Sequence, residues 1–350
     1  MDGFPTDDDL VRQKIEIEDP LLLDSLLQRA RPLQEMPVLE HLYNRGSSGK
    51  KVPCAYCRDP KFPNHLKGYV LRYSDGARVL IGNRCGEHHF GQQAFKKMVE
   101  TIVAQNDRRS LLIRRRAVLT AMPEFKRKTL AAVSSPQVQA YGRARRQFHS
   151  TLPQVAAAAT YAVAAMGGAL MHTVQVRNLD AESEREERRE REAQKAGKPY
   201  VPLRQPIYKD EEQPFGTLKA GDFFMSSDAP ERQLAHIVGR LEEIHQQLPA
   251  LSTKNEMVAA FRGVRDCLQA LKSVLDQVDR LPSALSQDNL ELMAAWASAR
   301  KLPGRYATKP GAVEHVNTEG ALLIFTAPPM LGATDRQFVQ DFENALIATQ

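Results

Sequence analysis

The residues able to do chemistry lie within a short stretch. Cys54 and Cys57 form a C-x2-C pair, and after twenty-seven further residues come Cys85, His88 and His89. A two-residue spacer lets both thiolates turn toward one ion, and soft thiolates joined by one imidazole suit zinc in a reducing compartment. Four donors would fill a tetrahedral shell, which is the pattern of a structural site. A catalytic site keeps one position open. The expectation is therefore one structural Zn2+. Cys267, the remaining cysteine, sits in a heptad pattern far along the chain and reads as an inert core thiol.

The residues between the cysteines have to position them. Tyr69, Leu71 and Tyr73 alternate with polar neighbours, Ser74-Asp75-Gly76-Ala77 is a turn signal, and Val79 and Ile81 alternate back. That pattern predicts a β-hairpin. The second ligand group then falls at the start of a helix near Phe90. Cysteine knuckle, hairpin and ligand pair at a helix start, in this order, resemble the treble-clef zinc finger over residues 52–100. The resemblance implies Cys54, Cys57, Cys85 and His88 as ligands. His89 and His65 are the rivals for the fourth position, and His88 is preferred for its two-residue spacing from Cys85. The module carries little information about function, because nucleic-acid binding, protein binding and nuclease chemistry all use it.

Enzyme motifs fail on particular residues. Residues 45–51, RGSSGKK, lack the first glycine and the hydroxyl of a phosphate loop. Pro53-Cys54-x-x-Cys57 matches half of the nucleobase-deaminase signature, but the upstream H-x-E is missing. A treble-clef nuclease would need His65 or His89 as a base and lacks the usual Asp-His pair. No H-E-x-x-H, G-x-S-x-G or G-x-G-x-x-G occurs. The expectation is a non-enzymatic protein, with a nuclease as the weaker alternative.

Charge is unevenly spread. The formal net charge is +6, yet residues 51–149 carry 20 Lys/Arg against 6 Asp/Glu, while the segments on either side are each net negative. Arg108, Arg109, Arg114, Arg115 and Arg116 fall on one predicted helix. Lys126, Arg127 and Lys128 follow, then Arg143, Arg145 and Arg146. With Glu124 the lone acid among them, these residues form a candidate phosphate-tracking surface. Tyr56, Phe62, Tyr69 and Tyr73 could stack bases, although filling the hairpin's own core is the favoured role. The expected partner is DNA or RNA, held through phosphates. The alternative is an adaptor subunit whose arginine face docks an acidic protein.

The remaining elements complete a mainly α chain with a small β-hairpin zinc module. Five segments are expected. Residues 1–50 form an acidic helical segment with apolar patterns over 21–27 and 36–42, and 51–100 form the zinc module. Residues 101–180 are basic and then Ala-rich, with the first helix ending at Pro123. Residues 181–215 are a charged and Pro-rich linker or insertion. Residues 216–350 form a helical hairpin domain with a terminal β-hairpin and helix. Leu234, Ile237, Leu241, Ile244 and Leu248, then Met257 through Val278, step by threes and fours as two heptad seams. They predict a coiled-coil-like hairpin, and a protein partner or homodimer through 231–281 is a further expectation. Ser286 caps a helix, residues 311–326 read as a hairpin, and Thr334 with Gln337 reads as a capping box. Residues 150–176 lack charge, but their Ala, Gly and Gln content argues against a membrane span. The acidic N-terminus lacks the apolar region of a secretory signal, so a cytoplasmic location is expected.

Overall fold

A computed structural model describes residues 6–31, 36–57, 65–225 and 229–347. The chain forms two compact units from separated stretches. The first comprises Met1–Phe125, Glu243–Arg265 and Gln340–Gln350, and the second Lys126–Glu242 and Asp266–Val339. More than half of the chain is helical, with three small sheets, giving a mixed architecture consistent with a mainly α chain.

The first unit opens with α1 (Asp7–Arg12), capped reciprocally by Thr6 and Asp9. A four-stranded sheet follows: β1 (Glu16–Ile17), β2 (Val38–Asn44), β3 (Lys67–Arg72) and β4 (Arg78–Ile81), in that order. β1 runs parallel to β2, and the other pairs are antiparallel. The expected hairpin over 69–81 is present as β3–β4. Its turn is closed by Tyr73 N–H donating to the Ala77 carbonyl at 2.9 Å, with Gly76 at φ +86°. Leu71, Tyr73, Val79 and Ile81 face one apolar cluster together with Phe95 and Ile102. Val70 and Leu80 face another with Ile17, Tyr43 and Val52. The sheet is thus buried on both faces, because Val70 and Leu80, which lie between the alternating residues, are apolar as well.

The helical reading of residues 21–42 is corrected. Pro20–Leu22 make a single 3-10 turn, and the leucines that follow enter no α-helix. Residues 38–44 form β2. Its pairing with β3 slips between Leu39 and His41, a β-bulge at Glu40. The extra residue breaks strict alternation, so the apolar spacing imitates a helical one. Glu40 uses the bulge to reach two bonds from Arg78, at 2.7 and 3.0 Å, and Arg72 at 3.2 Å.

α2 (Asn83–Phe90) and α3 (Gln92–Val133) meet at Gly91, whose φ of +82° turns the corner. α3 does not stop at Pro123 but continues ten residues beyond it. An interior proline costs about 3 kcal/mol. Here its neighbours Met122 and Phe125 are both buried, which offsets that loss.

The second unit holds α4 (Pro136–Thr151), α5 (Pro153–Met166), and a ribbon of β5 (Ala169–Arg177) against β6 (Tyr208–Thr217). Between these strands lies α6 (Leu179–Lys195), with no buried residue, while residues 208–215 of the expected linker are part of β6. α5 buries its small face through Val155, Ala156, Ala159 and Ala162, and no helix among the described residues is long and apolar enough to cross a membrane. α7 (Asp222–Met225) brings Phe223 and Phe224 to Phe148 of α4.

α8 (Pro230–Gln247) and α9 (Lys254–Asp279) carry the heptad seams, and their Leu234, Ile237, Leu241, Met257, Phe261, Val264, Leu268, Leu271, Leu275 and Val278 are buried within the chain. α10 (Leu281–Ala284) leads to α11 (Gln287–Ala299), capped by Ser286 as expected. β7 (Arg305–Lys309), β8 (Ala312–Val316) and β9 (Leu322–Thr326) form an antiparallel sheet, one strand more than the expected hairpin. Ahead of α12 (Gln337–Ile347), the Asp335 carboxylate accepts from Gln337 N–H at 3.0 Å. The Thr334 N–H and hydroxyl both donate to Asp279, at 2.9 and 3.1 Å.

Candidate metal centre

Backbone pairing builds the cysteine knuckle. Val52 N–H donates to the His65 carbonyl at 2.9 Å, and Ala55 N–H donates to the Leu80 carbonyl at 2.9 Å, tying the knuckle to β4. Cys57 N–H then turns back to the Cys54 carbonyl at 3.2 Å. Cys85 arrives from the other side as the third residue of α2, directly after β4. The adjacent Gly86 has no room for a side chain, since a Cβ there would lie 2.1 Å from the Phe95 ring. That close approach seats α2, and with it Cys85, against the core.

The Sγ atoms of Cys54, Cys57 and Cys85 all lie within 4.8 Å of one another, and Cys57 and Cys85 are 3.4 Å apart. All three are free thiols. Two thiolates on one tetrahedral zinc, with Zn–S near 2.3 Å, stand about 3.8 Å apart, so the spacing suits a shared ion. Cys54 is fully buried and the other two partly so. Burial first, then the Cys57 and Cys54 sulfurs, push the Cys85 thiol up to about 12. The Cys85 thiol resists ionisation in this setting, and a divalent cation reverses the sign of that balance. The donor set therefore fits a thiophilic metal.

The histidines stand apart from this group. Among the described residues, no imidazole nitrogen or carboxylate oxygen joins the three sulfurs within 4.8 Å of all of them. His88 and His89 follow Cys85 by three and four residues and so share its helix face. His88 is exposed, while His89 is half-buried over the knuckle. The His89 Nε2 lies 3.2 Å from the Tyr56 carbonyl, between the two knuckle cysteines, and its ring is 5.0 Å from the Tyr56 ring. His65 faces the other way, with Nδ1 2.9 Å from the Tyr43 hydroxyl and its ring against Gly82. Tyr73 is buried and Tyr56 and Tyr69 are packed on the same core, while Phe62 lies outside the described residues.

The basic residues divide between the two units. In the first, Arg108 donates twice to Asp7, at 2.6 and 3.0 Å, and Arg116 pairs with Asp8. Arg115 donates to the Leu251 carbonyl at 2.8 Å and lies 3.7 Å from Asp7. Arg114 sits 5.6 Å over the Phe261 ring, its pKa lowered by burial and by Arg265. Arg109 has a buried Nε without a partner. In the second unit, Lys126 pairs with Glu242, Arg127 and Lys128 follow it on α3, and Arg146 lies 3.9 Å from Glu231. Arg143 is exposed, and Arg145 is half-buried with an unpartnered Nε. The sequence reading missed the acidic partners Asp7 and Asp8. The run Asp7-Asp8-Asp9 signals a capped helix, but nothing local indicates that it would meet residues a hundred positions away.

Compared with known protein families, curated proteins and solved structures, the chain matches none.

Proposed function

We propose that this chain is a non-enzymatic binding protein whose first unit is held by one structural zinc ion, in a treble-clef-like arrangement, and whose partner is nucleic acid. The convergence of the Cys54, Cys57 and Cys85 sulfurs carries the metal reading. A histidine of the same helix face completes the shell. His89 is the better placed of the two, because its ring already lies over the knuckle while His88 points to solvent. The phosphate-binding reading draws on the basic residues of α3 and α4. Arg108–Asp7 and Arg116–Asp8 are exposed pairs of the kind that contribute little to stability, so phosphates can displace the carboxylates.

One observation favours a second reading, the adaptor subunit. The arginine face of α3 already receives carboxylates from a helix, which is what an acidic protein segment would offer it. Metal analysis of protein purified under reducing conditions, with binding to DNA and RNA across 50–300 mM salt, separates these readings. One zinc per chain with affinity falling steeply as salt rises is the expected result. One zinc without binding favours the adaptor, and absence of zinc overturns the metal centre. His89→Ala should lower zinc affinity more than His88→Ala.

A further inference from the structure

The first unit also contains a polar cavity of about 560 Å³ that shares no residue with the metal centre. One wall is α3, presenting Asn106, Arg109 and Ser110 at the i, i+3 and i+4 spacing of a single helix face. The other wall is the outward face of the strand at β1, where Lys14, Glu16 and Glu18 alternate with the buried Ile15 and Ile17. The Arg109 Nε is out of water with no partner, and no described residue accepts a hydrogen bond from its guanidinium. Glu16 and Glu18 likewise form no ion pair with Arg109 or Lys14 among the described residues.

An unpartnered buried donor is costly, and Arg109, which shares this condition with Arg114 and Arg145, also lines a polar cavity. The helix wall offers an arginine fork, a hydroxyl and an amide, a set that matches the oxygens of a phosphate. The strand wall offers carboxylates, which accept hydrogen bonds and repel a bare anion. A ligand satisfying both walls carries phosphate at one end and hydroxyl groups at the other. The volume lies within the usual range of small-ligand sites. We propose that this cavity binds a ribose 5′-phosphate, with Arg109, Asn106 and Ser110 on the phosphate and Glu16 and Glu18 on the ribose hydroxyls. The ribose 5′-phosphate comes either from a free ribonucleotide or from the 5′ end of an RNA. The site is independent of the metal and shares only Arg109 with the nucleic-acid reading.

Calorimetric titration of the full chain with adenosine 5′-monophosphate, adenosine, inorganic phosphate and a short 5′-phosphorylated RNA tests this. The nucleotide should bind saturably, with adenosine and phosphate each about tenfold weaker or more. Arg109→Gln should weaken the nucleotide about 10- to 100-fold. The pair Glu16→Gln and Glu18→Gln should reduce its advantage over inorganic phosphate. Arg109→Lys keeps the charge without the fork, and Asn106→Ala with Ser110→Ala probes the same wall if the arginine variants unfold. Binding of the RNA alone, lost in Arg109→Gln, assigns the source as an RNA end. Nucleotide binding without general nucleic-acid binding supports this site and removes the broader reading. No saturable binding of nucleotide or RNA, or nucleotide binding unchanged in Arg109→Gln, overturns the proposal.

Discussion

The two units are held together by different means. The second is built on interlocked large side chains and a well-bonded buried asparagine. Phe148 meets Phe223, Phe224 and Phe325 at ring distances of 5.3–5.8 Å, and the Trp296 Nε1 donates to the Met171 carbonyl at 2.7 Å. Buried Asn289 bonds both the N–H and the carbonyl of Lys219 and also the Ala284 carbonyl. The sheet of the first unit is short-stranded, and its joint between the knuckle and α2 combines the Tyr56 ring, packed on His89 and Phe90, with three thiols that no disulfide links. A core of aromatic rings stands alone, whereas under the proposed metal reading the thiol cluster draws stability from an ion. The contrast predicts that metal chemistry acts on one unit and leaves the other unaffected.

Removing the metal should have the largest effect. Structural zinc contributes on the order of 10 kcal/mol to folding of small modules. A chelator, or Cys54→Ser or Cys85→Ser, should strip hydrogen-exchange protection from residues 67–90 and leave it over 281–299. Equal loss in both units would erase the distinction. Phe148→Ala is the converse experiment. It should cost about 3–5 kcal/mol and lower the melting temperature while zinc content stays at one per chain. Release of zinc in that variant would show that the units are not separable.

Acid should sharpen the comparison further. Burial alone would raise the Glu40 pKa, but the Arg78 hydrogen bonds and the charges of His41, Arg78 and Arg72 outweigh it and hold the carboxyl below its usual range. Its stabilising contribution is fully present above the unfolded value of about 4.3 and is lost as pH falls through the lower folded value. Exchange protection in β2 should therefore decline in that window, and Glu40→Gln should flatten the decline. The smallest effect is expected from Asp7→Asn with Asp8→Asn. Stability should hardly move, because exposed pairs contribute little. Affinity for DNA or RNA should rise a few-fold as Arg108, Arg115 and Arg116 are released. Unchanged affinity would favour the adaptor reading.

Local signals in the sequence were reliable where one short stretch determines the outcome. The β3–β4 hairpin followed from alternation around Asp75-Gly76, and the α11 cap from Ser286. The cysteine cluster followed from a two-residue spacer. Failures came where a distant contact overrides a local rule. Glu40 forms a bulge because Arg72 and Arg78 wait on neighbouring strands, and this disguised β2 as a helix. Pro123 stays inside α3 because its neighbours are buried, a fact that no propensity contains. Thr334 also donates to Asp279, 55 residues away, a contact that no local signal contains. Spacing alone made His88 and His89 rivals, and only the path of the chain at Tyr56 shows which ring lies over the knuckle.

The discontinuity of the first unit bears on how the protein is made. The sheet, the knuckle and α2 all leave the ribosome early, but the unit also draws on Glu243–Arg265 and Gln340–Gln350. Phe342, near the end of the chain, stacks flat on Phe125 with ring centroids 4.0 Å apart. The cysteine-bearing stretch is therefore completed by residues translated more than two hundred positions later. A premature stop after Cys267 would still leave the unit that holds the cysteine cluster unfinished, and the nascent first unit must wait through synthesis of the whole of the second.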